Sequence, residues 1–211
     1  AVDSSHALYA VGDGGVFRTT NHGHQWNRLS TPTNFFFNSL GNMLVHSSGT
    51  FLVSSDNGVL RSTDRGATWE APAYQGMPVD VRALLEDSSG TLYGADFRNG
   101  ILTSSDTGRT WQVFSPLKPW LMSLCRTGSG FWFAGGSQLY RSSDRGRNWD
   151  TLAVPISEVR CILESSDGVL YASGVSTVLR SRDGGRTWLS VLAVSNEYFR
   201  DLCLGKDGVL Y

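Results

Sequence analysis

Short apolar runs alternate with Gly-, Ser- and Asp-rich turns along the whole chain, and no stretch repeats its apolar positions at a helical period. Val79-Asp80-Val81-Arg82-Ala83-Leu84-Leu85-Glu86 leads through Asp87-Ser88-Ser89-Gly90 to Thr91-Leu92-Tyr93-Gly94-Ala95. After a polar loop comes Ile101-Leu102-Thr103. β-Branched and aromatic residues crowd these runs and turn residues bound them, which predicts strands. The order then repeats. Second strands are expected at Ala7-Leu8-Tyr9-Ala10, Thr50-Phe51-Leu52-Val53, Phe131-Trp132-Phe133-Ala134 and Val169-Leu170-Tyr171-Ala172. Third strands are expected at Gly15-Val16-Phe17-Arg18, Val59-Leu60-Arg61, Leu139-Tyr140-Arg141 and Val178-Leu179-Arg180. The pattern is all-β.

One phrase follows every third strand. It is cleanest as Ser62-Thr63-Asp64-Arg65-Gly66-Ala67-Thr68-Trp69, and it returns around Asp106, Gly108 and Trp111, around Asp144, Gly146 and Trp149, and around Asp183, Gly185 and Trp188. A degraded copy, Thr19-Thr20-Asn21-His22-Gly23-His24-Gln25-Trp26, opens the series. An Asp two residues before a Gly is a turn signal. The carboxylate accepts backbone N–H groups just ahead of it, and Gly takes a positive φ at no steric cost. Each phrase therefore predicts a hairpin pinned by Asp, with Trp starting the returning strand. The tryptophans stand 43, 42, 38 and 39 residues apart. A period near 40 with about four short strands per repeat is the pattern of a β-propeller.

The phrase resembles the Asp-box, or BNR repeat, of sialidases, sortilin-type receptors, xyloglucanases and the propeller that assists photosystem II assembly. The resemblance implies a β-propeller of four-stranded blades, with the box joining strands three and four and serving structure away from the ligand face. Five blade equivalents result: an incomplete first blade at 1–29, blades at 34–75, 77–114, 118–152 and 156–192, and a closing or truncated blade at 196–211. With Asn21 for Asp and Gln25 for Thr, the first hairpin is expected to be held less tightly. Because Ala1 opens just ahead of a second strand, the first blade is expected to lack its inner strand. Either five blades close the ring, with 197–204 completing the first, or the chain is a segment of a six- to eight-bladed propeller. The second is favoured, because a stop within a strand is odd for a natural terminus.

Charge narrows the partners. Lys+Arg 18 against Asp+Glu 19 give a formal net charge of -1, which provides no field for nucleic acid or an anionic membrane. No run of about 18 apolar residues is present to span a membrane. Cys125, Cys161 and Cys203 match no zinc spacing and sit inside apolar runs, so they are expected to be buried thiols. His6, His22, His24 and His46 form no ligand cluster, and Gly12-Asp13-Gly14-Gly15 has no helix after it to make a phosphate cradle. No cofactor or metal is expected.

Candidate chemistry lies where the inner strands begin. Aligned on Gly49, Gly90, Gly130, Gly168 and Gly208, the repeats place Gly41, Arg82, Met122, Arg160 and Arg200 in one column. Two residues earlier stand Ser39, Asp80, Trp120, Glu158 and Tyr198. Arg82, Arg160 and Arg200 are candidates to present guanidinium forks to an anionic ligand, with Trp120 and Tyr198 as stacking surfaces. Alternatively the column fills and neutralises a channel, with Asp80 and Glu158 as ion-pair partners. Phe35-Phe36-Phe37 is a further aromatic candidate. The family resemblance leads to a non-enzymatic binding or scaffold propeller, exported or cell-surface in a bacterium, that holds a protein or glycan over the channel face. The alternative is a glycoside hydrolase, sialidase-like or glucan-active, with Asp80 and Glu158 as catalytic candidates and Asp96, Glu197 and Asp201 also in position. The Phe/Tyr-Arg-Ile-Pro phrase of sialidases is absent, and Phe199-Arg200-Asp201-Leu202 only approaches it.

Overall fold

A computed structural model describes residues 1–12, 14–32, 42–55, 58–74, 77–117, 120–199, 201–205 and 208–211. Among these residues there is no helix. The first sheet is β1 (Leu8–Gly12), β2 (Gly15–Thr19) and β3 (Asn27–Arg28), and the second is β4 (Met43–Val45), β5 (Phe51–Ser55) and β6 (Gly58–Ser62). A small pair, β7 (Ala73–Tyr74) and β8 (Met77–Pro78), follows. Three sheets have four strands each. One is β9 (Val81–Glu86), β10 (Leu92–Asp96), β11 (Gly100–Ser104) and β12 (Gln112–Ser115). The next is β13 (Ser123–Arg126), β14 (Trp132–Gly135), β15 (Leu139–Ser142) and β16 (Asp150–Leu152). The last is β17 (Cys161–Glu164), β18 (Leu170–Ser173), β19 (Val175–Ser181) and β20 (Leu189–Tyr198).

Chain neighbours pair antiparallel throughout. The register Cys125↔Phe133↔Arg141↔Asp150 shows one complete rung of a blade. The repeat is that of a β-propeller with five blade equivalents. Among the described residues, two of the box-bearing blades depart from four full strands. In the first, Ala1 and Val2 stand where no inner strand was expected: Val2 bridges Leu8, and Ala1 exchanges hydrogen bonds of 3.0 and 2.9 Å with Tyr9. In the second, the fourth strand shrinks to an Arg61↔Glu70 bridge. At the other end, Leu204 bridges Leu210 and Cys203 exchanges two hydrogen bonds with Tyr211, so the expected inner and second strands do pair.

The chain forms two compact units, residues 1–96 with 101–113, and residues 97–100 with 114–211. In the first, Leu52, Val59, Val79, Val81, Leu84, Leu92, Leu102 and Trp111 make one buried cluster that joins successive blades. In the second, Phe133, Leu139, Val159, Ile162, Leu170 and Ala172 do the same. Each fully buried Leu or Phe contributes about 1.5–3 kcal/mol by leaving water. Cores lie between blades because a single twisted sheet has no apolar partner of its own.

The box geometry explains why the phrase is so regular. Two consecutive residues at every tip are left-handed: His22 and Gly23, Arg65 and Gly66, Thr107 and Gly108, Arg145 and Gly146, Gly184 and Gly185. A non-glycine residue in that region costs about 1–2 kcal/mol, so the tip needs closure from elsewhere. The buried serine supplies it. Ser62 Oγ donates to Asp64 Oδ1 at 2.7 Å and accepts the Gly66 N–H at 2.8 Å. Ser104, Ser142 and Ser181 repeat both bonds with Asp106, Asp144 and Asp183 and with the box glycines. The Asp then takes the N–H of the residue four on, and its Oδ2 takes that residue's side chain, as from Thr68 at 2.6 Å and Asn148 at 2.6 Å. Trp111, Trp149 and Trp188 donate their indole N–H to the carbonyl of the box glycine. In the first box Thr19 and Asn21 keep the same Oδ1-centred bonds. At Thr107, a β-branched residue with φ 60, the buried Arg61 of the blade before adds two bonds, to the carbonyl at 2.8 Å and the hydroxyl at 2.9 Å, while also pairing with Glu70.

Two predictions follow from this turn. Ser142→Ala leaves the buried Gly146 N–H without its acceptor and should cost about 1–3 kcal/mol in denaturant melts; an unchanged midpoint would contradict the serine's role. The carboxyls of Asp64 and Asp144 are held at about 2, by the Thr68 hydroxyl first in one and the Asn148 backbone N–H first in the other. A depressed folded value means that the stabilisation is complete above the ordinary carboxyl value near 3.9. It is then lost as pH falls from about 4 towards 2. Thermal melts across that window should fall steadily, and a flat profile would contradict the assignment.

Candidate functional site

The loops that lead into the inner strands carry the sequence candidates. In the first unit, Asp80 and Arg82 flank the start of β9, and Arg82 Nε lies 2.9 Å from Asp80 Oδ1. Asp96, at the end of β10, is fully buried, and its Oδ2 accepts the Asp80 N–H at 2.8 Å. The β9–β10 register shifts between Ala95 and Asp96, which brings that carboxylate onto the approach loop. Burying charge is costly unless opposite charge and hydrogen bonds accompany it. Asp80, Arg82 and Asp96 therefore form a closed structural cluster.

The second unit is built differently at the same place. Gly136 and Gly174 replace Asp96 in the alignment, and the approach loop presses directly on them. A Cβ on Gly136 would lie 2.6 Å from the Trp120 carbonyl oxygen, and one on Gly174 2.9 Å from that of Glu158. The carbonyls of these glycines accept N–H groups from the next blade, Val159 at 2.7 Å and Phe199 at 3.3 Å. The bare glycines are thus slots between successive blades. Held against them, Trp120 and Glu158 are left-handed, with φ 61 and 51. Such backbone outliers in non-glycine residues concentrate at functional positions.

Their side chains face outward. Trp120 is 57 % exposed and lies parallel to Phe97, with centroids 5.9 Å apart and planes 6° from parallel. Glu158 Oε2 meets Arg160 Nη2 at 2.7 Å, and the Arg160 guanidinium sits 5.0 Å from the ring centre of Tyr198, itself 56 % exposed. Trp120, Glu158, Arg160 and Tyr198 therefore line consecutive approach loops of one unit, linked through Gly136 and Gly174. Arg82 lies in the other unit, paired with Asp80. Arg200 and Phe35-Phe36-Phe37 lie outside the described residues. The two catalytic candidates, Asp80 and Glu158, are each engaged by an arginine.

Several contributors escaped the sequence reading in whole or in part. Phe97 forms the second face of the aromatic pair. Asp96 was only one of several acidic positions, although its replacement of the column glycine is visible once the repeats are aligned. At the far ends of the inner strands, Glu86 accepts the Ser47 N–H and Glu164 accepts the Gly128 N–H at 2.7 Å, each tying one blade to the turn of the blade before. His46, buried beside Glu86, accepts the Ser48 N–H on Nδ1 and meets the Gly90 carbonyl through Nε2 at 2.9 Å. It bridges two turns. Burial, then the Glu164 charge, raises the Cys125 thiol to about 12, and burial, then Asp201, raises Cys161 to about 12. Cys203 is exposed, contrary to expectation.

Among the described residues no group of three or more His, Cys, Asp or Glu is placed to hold a metal ion. No described helix is long and apolar enough to cross a membrane. An open groove of about 500 Å³ on the first unit is lined by Asp3, His46, Phe51, Thr63 and Arg65. Its Asp3 carboxylate is already taken by Ser5, Ala7 and Tyr9.

The model of the DUF6242 β-propeller domain matches residues 2–122, and that of the BNR-Asp box repeat matches residues 139–152. Among curated proteins none matches the chain by sequence. Solved structures do match by fold. The extracellular domain of BT4673 from B. thetaiotaomicron, described as a one component system, superposes with TM-score 0.81 at 19% identity, over 100% of this chain and 30% of its own. The GH74 xyloglucanase from Xanthomonas campestris gives TM-score 0.69 at 19% identity, over 94% and 40%. YCF48 bound to D1 peptide gives 0.65 at 18% identity, over 94% and 69%. The chain thus spans about a third of the length of the first of these. Enzymes and extracellular sensor domains both occur among its structural relatives.

The Asp96 cluster yields a test of the difference between the two units. Asp96→Ala removes the acceptor of the buried Asp80 N–H and should destabilise the chain by about 1–3 kcal/mol in chemical denaturation. No loss would mean that the carboxylate carries no structural load.

Proposed function

The chain belongs to the family of DUF6242 β-propeller domains, and from that premise we propose that it is a non-enzymatic binding propeller. It acts outside the bacterial cytoplasm, extracellular or periplasmic, and recognises a protein or glycan on the loops that enter its inner strands. The observation that carries this reading is the pair of left-handed, outward-facing residues Trp120 and Glu158 at equivalent loops of successive blades. Strain repeated at one position of a repeat, with side chains presented to solvent, fits a surface kept for contact rather than for packing. The Trp120–Phe97 stack offers a flat apolar platform, and the Arg160–Glu158 pair beside Tyr198 offers oriented donors and acceptors.

The hydrolase reading is less well supported. A glycosidase needs one carboxyl free to give a proton and another free to attack or to activate water. Asp80 and Glu158 instead meet arginines at 2.9 and 2.7 Å. Extracellular placement is supported by the sensor domains among the structural relatives.

Xyloglucan oligosaccharides and a peptide array, titrated against the intact chain, supply the test. Ligands found this way should bind Trp120→Ala at least tenfold more weakly, a loss of about 1.4 kcal/mol or more. Binding that is indifferent to both Trp120→Ala and Arg160→Ala would remove the site. Turnover of aryl glycosides or xyloglucan, abolished by Asp80→Asn or Glu158→Gln, would replace the binding reading with the enzymatic one.

A further inference from the structure

The turns that end the inner strands share one shape. Residues 3–6, 46–49, 87–90, 127–130 and 165–168 are each closed by a bond of 2.7–3.0 Å from the fourth residue's N–H to the first residue's carbonyl. The N–H of the second residue takes no part in this closure. In two blades a glutamate of the following blade caps it. Glu86, the last residue of β9, takes the Ser47 N–H at 3.2 and 3.0 Å, and Glu164, the last of β17, takes the Gly128 N–H at 2.7 Å. The last residue of β4, in the same place, is Val45. It packs against Ala7, Tyr9 and Phe51 and has no acceptor to offer. The N–H that it should cap, that of Ser4, has no partner among the described residues. Both residues line the open groove of about 500 Å³ on the first unit.

Each cap reaches back from the blade after the turn, so the open position at Ser4 is set by Val45, inside the first unit, and not by a chain end. Thr63 and Arg65 of the second box border the same groove. Arg65 is exposed and makes no hydrogen bond or ion pair among the described residues. It is the one lysine or arginine of the lining. The acid in the wall, Asp3, is buried, and four donors occupy its oxygens: the Ser5 N–H at 2.9 Å, the Ser5 hydroxyl at 2.7 Å, the Ala7 N–H at 3.0 Å and the Tyr9 hydroxyl at 2.9 Å. A backbone N–H and a guanidinium are thus left over. Both can only donate, which calls for an anionic acceptor.

We propose that this groove binds a glutamate side chain of a partner peptide, whose carboxylate caps the Ser4 N–H as Glu86 caps that of Ser47, and pairs with Arg65. A glutamate is the group that the repeat itself sets at this point in two other blades. A charged acceptor makes a hydrogen bond roughly twice as strong as a neutral one, so the amide of glutamine is a poor substitute. The site shares no residue with the approach loops and does not depend on the binding reading given for them.

Amide chemical shifts of the intact chain, titrated to millimolar concentration with the blocked peptide acetyl-Gly-Glu-Gly-amide and with its Gln counterpart, test it. The Glu peptide should move the Ser4 amide, and its affinity should fall about two- to fivefold in Arg65→Gln. The Gln peptide should leave that amide in place. Val45→Glu supplies the carboxylate from within the chain, so it should melt higher than Val45→Gln and no longer respond to the Glu peptide. A Ser4 amide that ignores the Glu peptide, or that moves equally with the Gln peptide, would overturn the proposal. Equal melting points for the two Val45 variants would do the same. Glucuronate should bind more weakly than the Glu peptide; tighter binding would overturn the peptide assignment in favour of a uronic acid. The titration of the unsubstituted chain decides the question even where the Val45 variants do not fold.

Discussion

A hairpin that turns through two successive left-handed residues is an expensive object, and every blade of this chain depends on one. The serine two positions ahead of the aspartate makes it affordable. Buried to within 2 % in all four complete boxes, it donates to the carboxylate and accepts the box-glycine N–H, so one hydroxyl closes the turn on both sides. The carboxylate then holds the outgoing strand by a backbone and a side-chain bond. Once the tip is fixed, the tryptophan and the residues after it are set at a constant place on each sheet. Only then can successive sheets present matching surfaces.

The joints between blades follow from that placement. On the box side an apolar residue fills the space above a glycine. On the approach-loop side a second glycine, Gly136 or Gly174, admits the backbone of its own loop and offers its carbonyl to the next blade. The absence of a side chain is used twice, at opposite ends of the strands. Where Asp96 stands instead of such a glycine, its carboxylate replaces the backbone contact with a side-chain one and draws Asp80 and Arg82 into a closed cluster. One substitution in the repeat thus separates a packed position from positions where Trp120 and Glu158 project into solvent. Function in a repeat protein resides in such departures, since the residues that agree between repeats are committed to structure.

The fold was legible because its rules are local. Strand alternation, turn residues and the box all act within a few residues, and a fixed period multiplied the signal. The regular part of the box was legible for the same reason, although the carboxylate drew attention that belonged equally to the serine. The candidate site was legible only as a column. Alignment brought Trp120, Glu158, Arg160 and Tyr198 to one structural level, but the pattern holds no sign of a left-handed φ at Trp120 or Glu158, where glycine would be the ordinary choice. Nor does it show that Phe97, from a polar loop, lies under Trp120. His46 and Glu86 were invisible for another reason. They join turns of different blades, and a contact between blades leaves no periodic trace within either.

The central claim, that identical aspartate-and-serine closures set the blades, is open to direct measurement. Carbon-detected NMR of the side-chain carboxyls follows Asp64, Asp106, Asp144 and Asp183 individually as pH is lowered. The closure predicts that all four titrate together as a low group, well below the ordinary aspartate value near 3.9. Midpoints scattered about that ordinary value would mean that the carboxylates are solvated turn residues, and that the blades are held by something else.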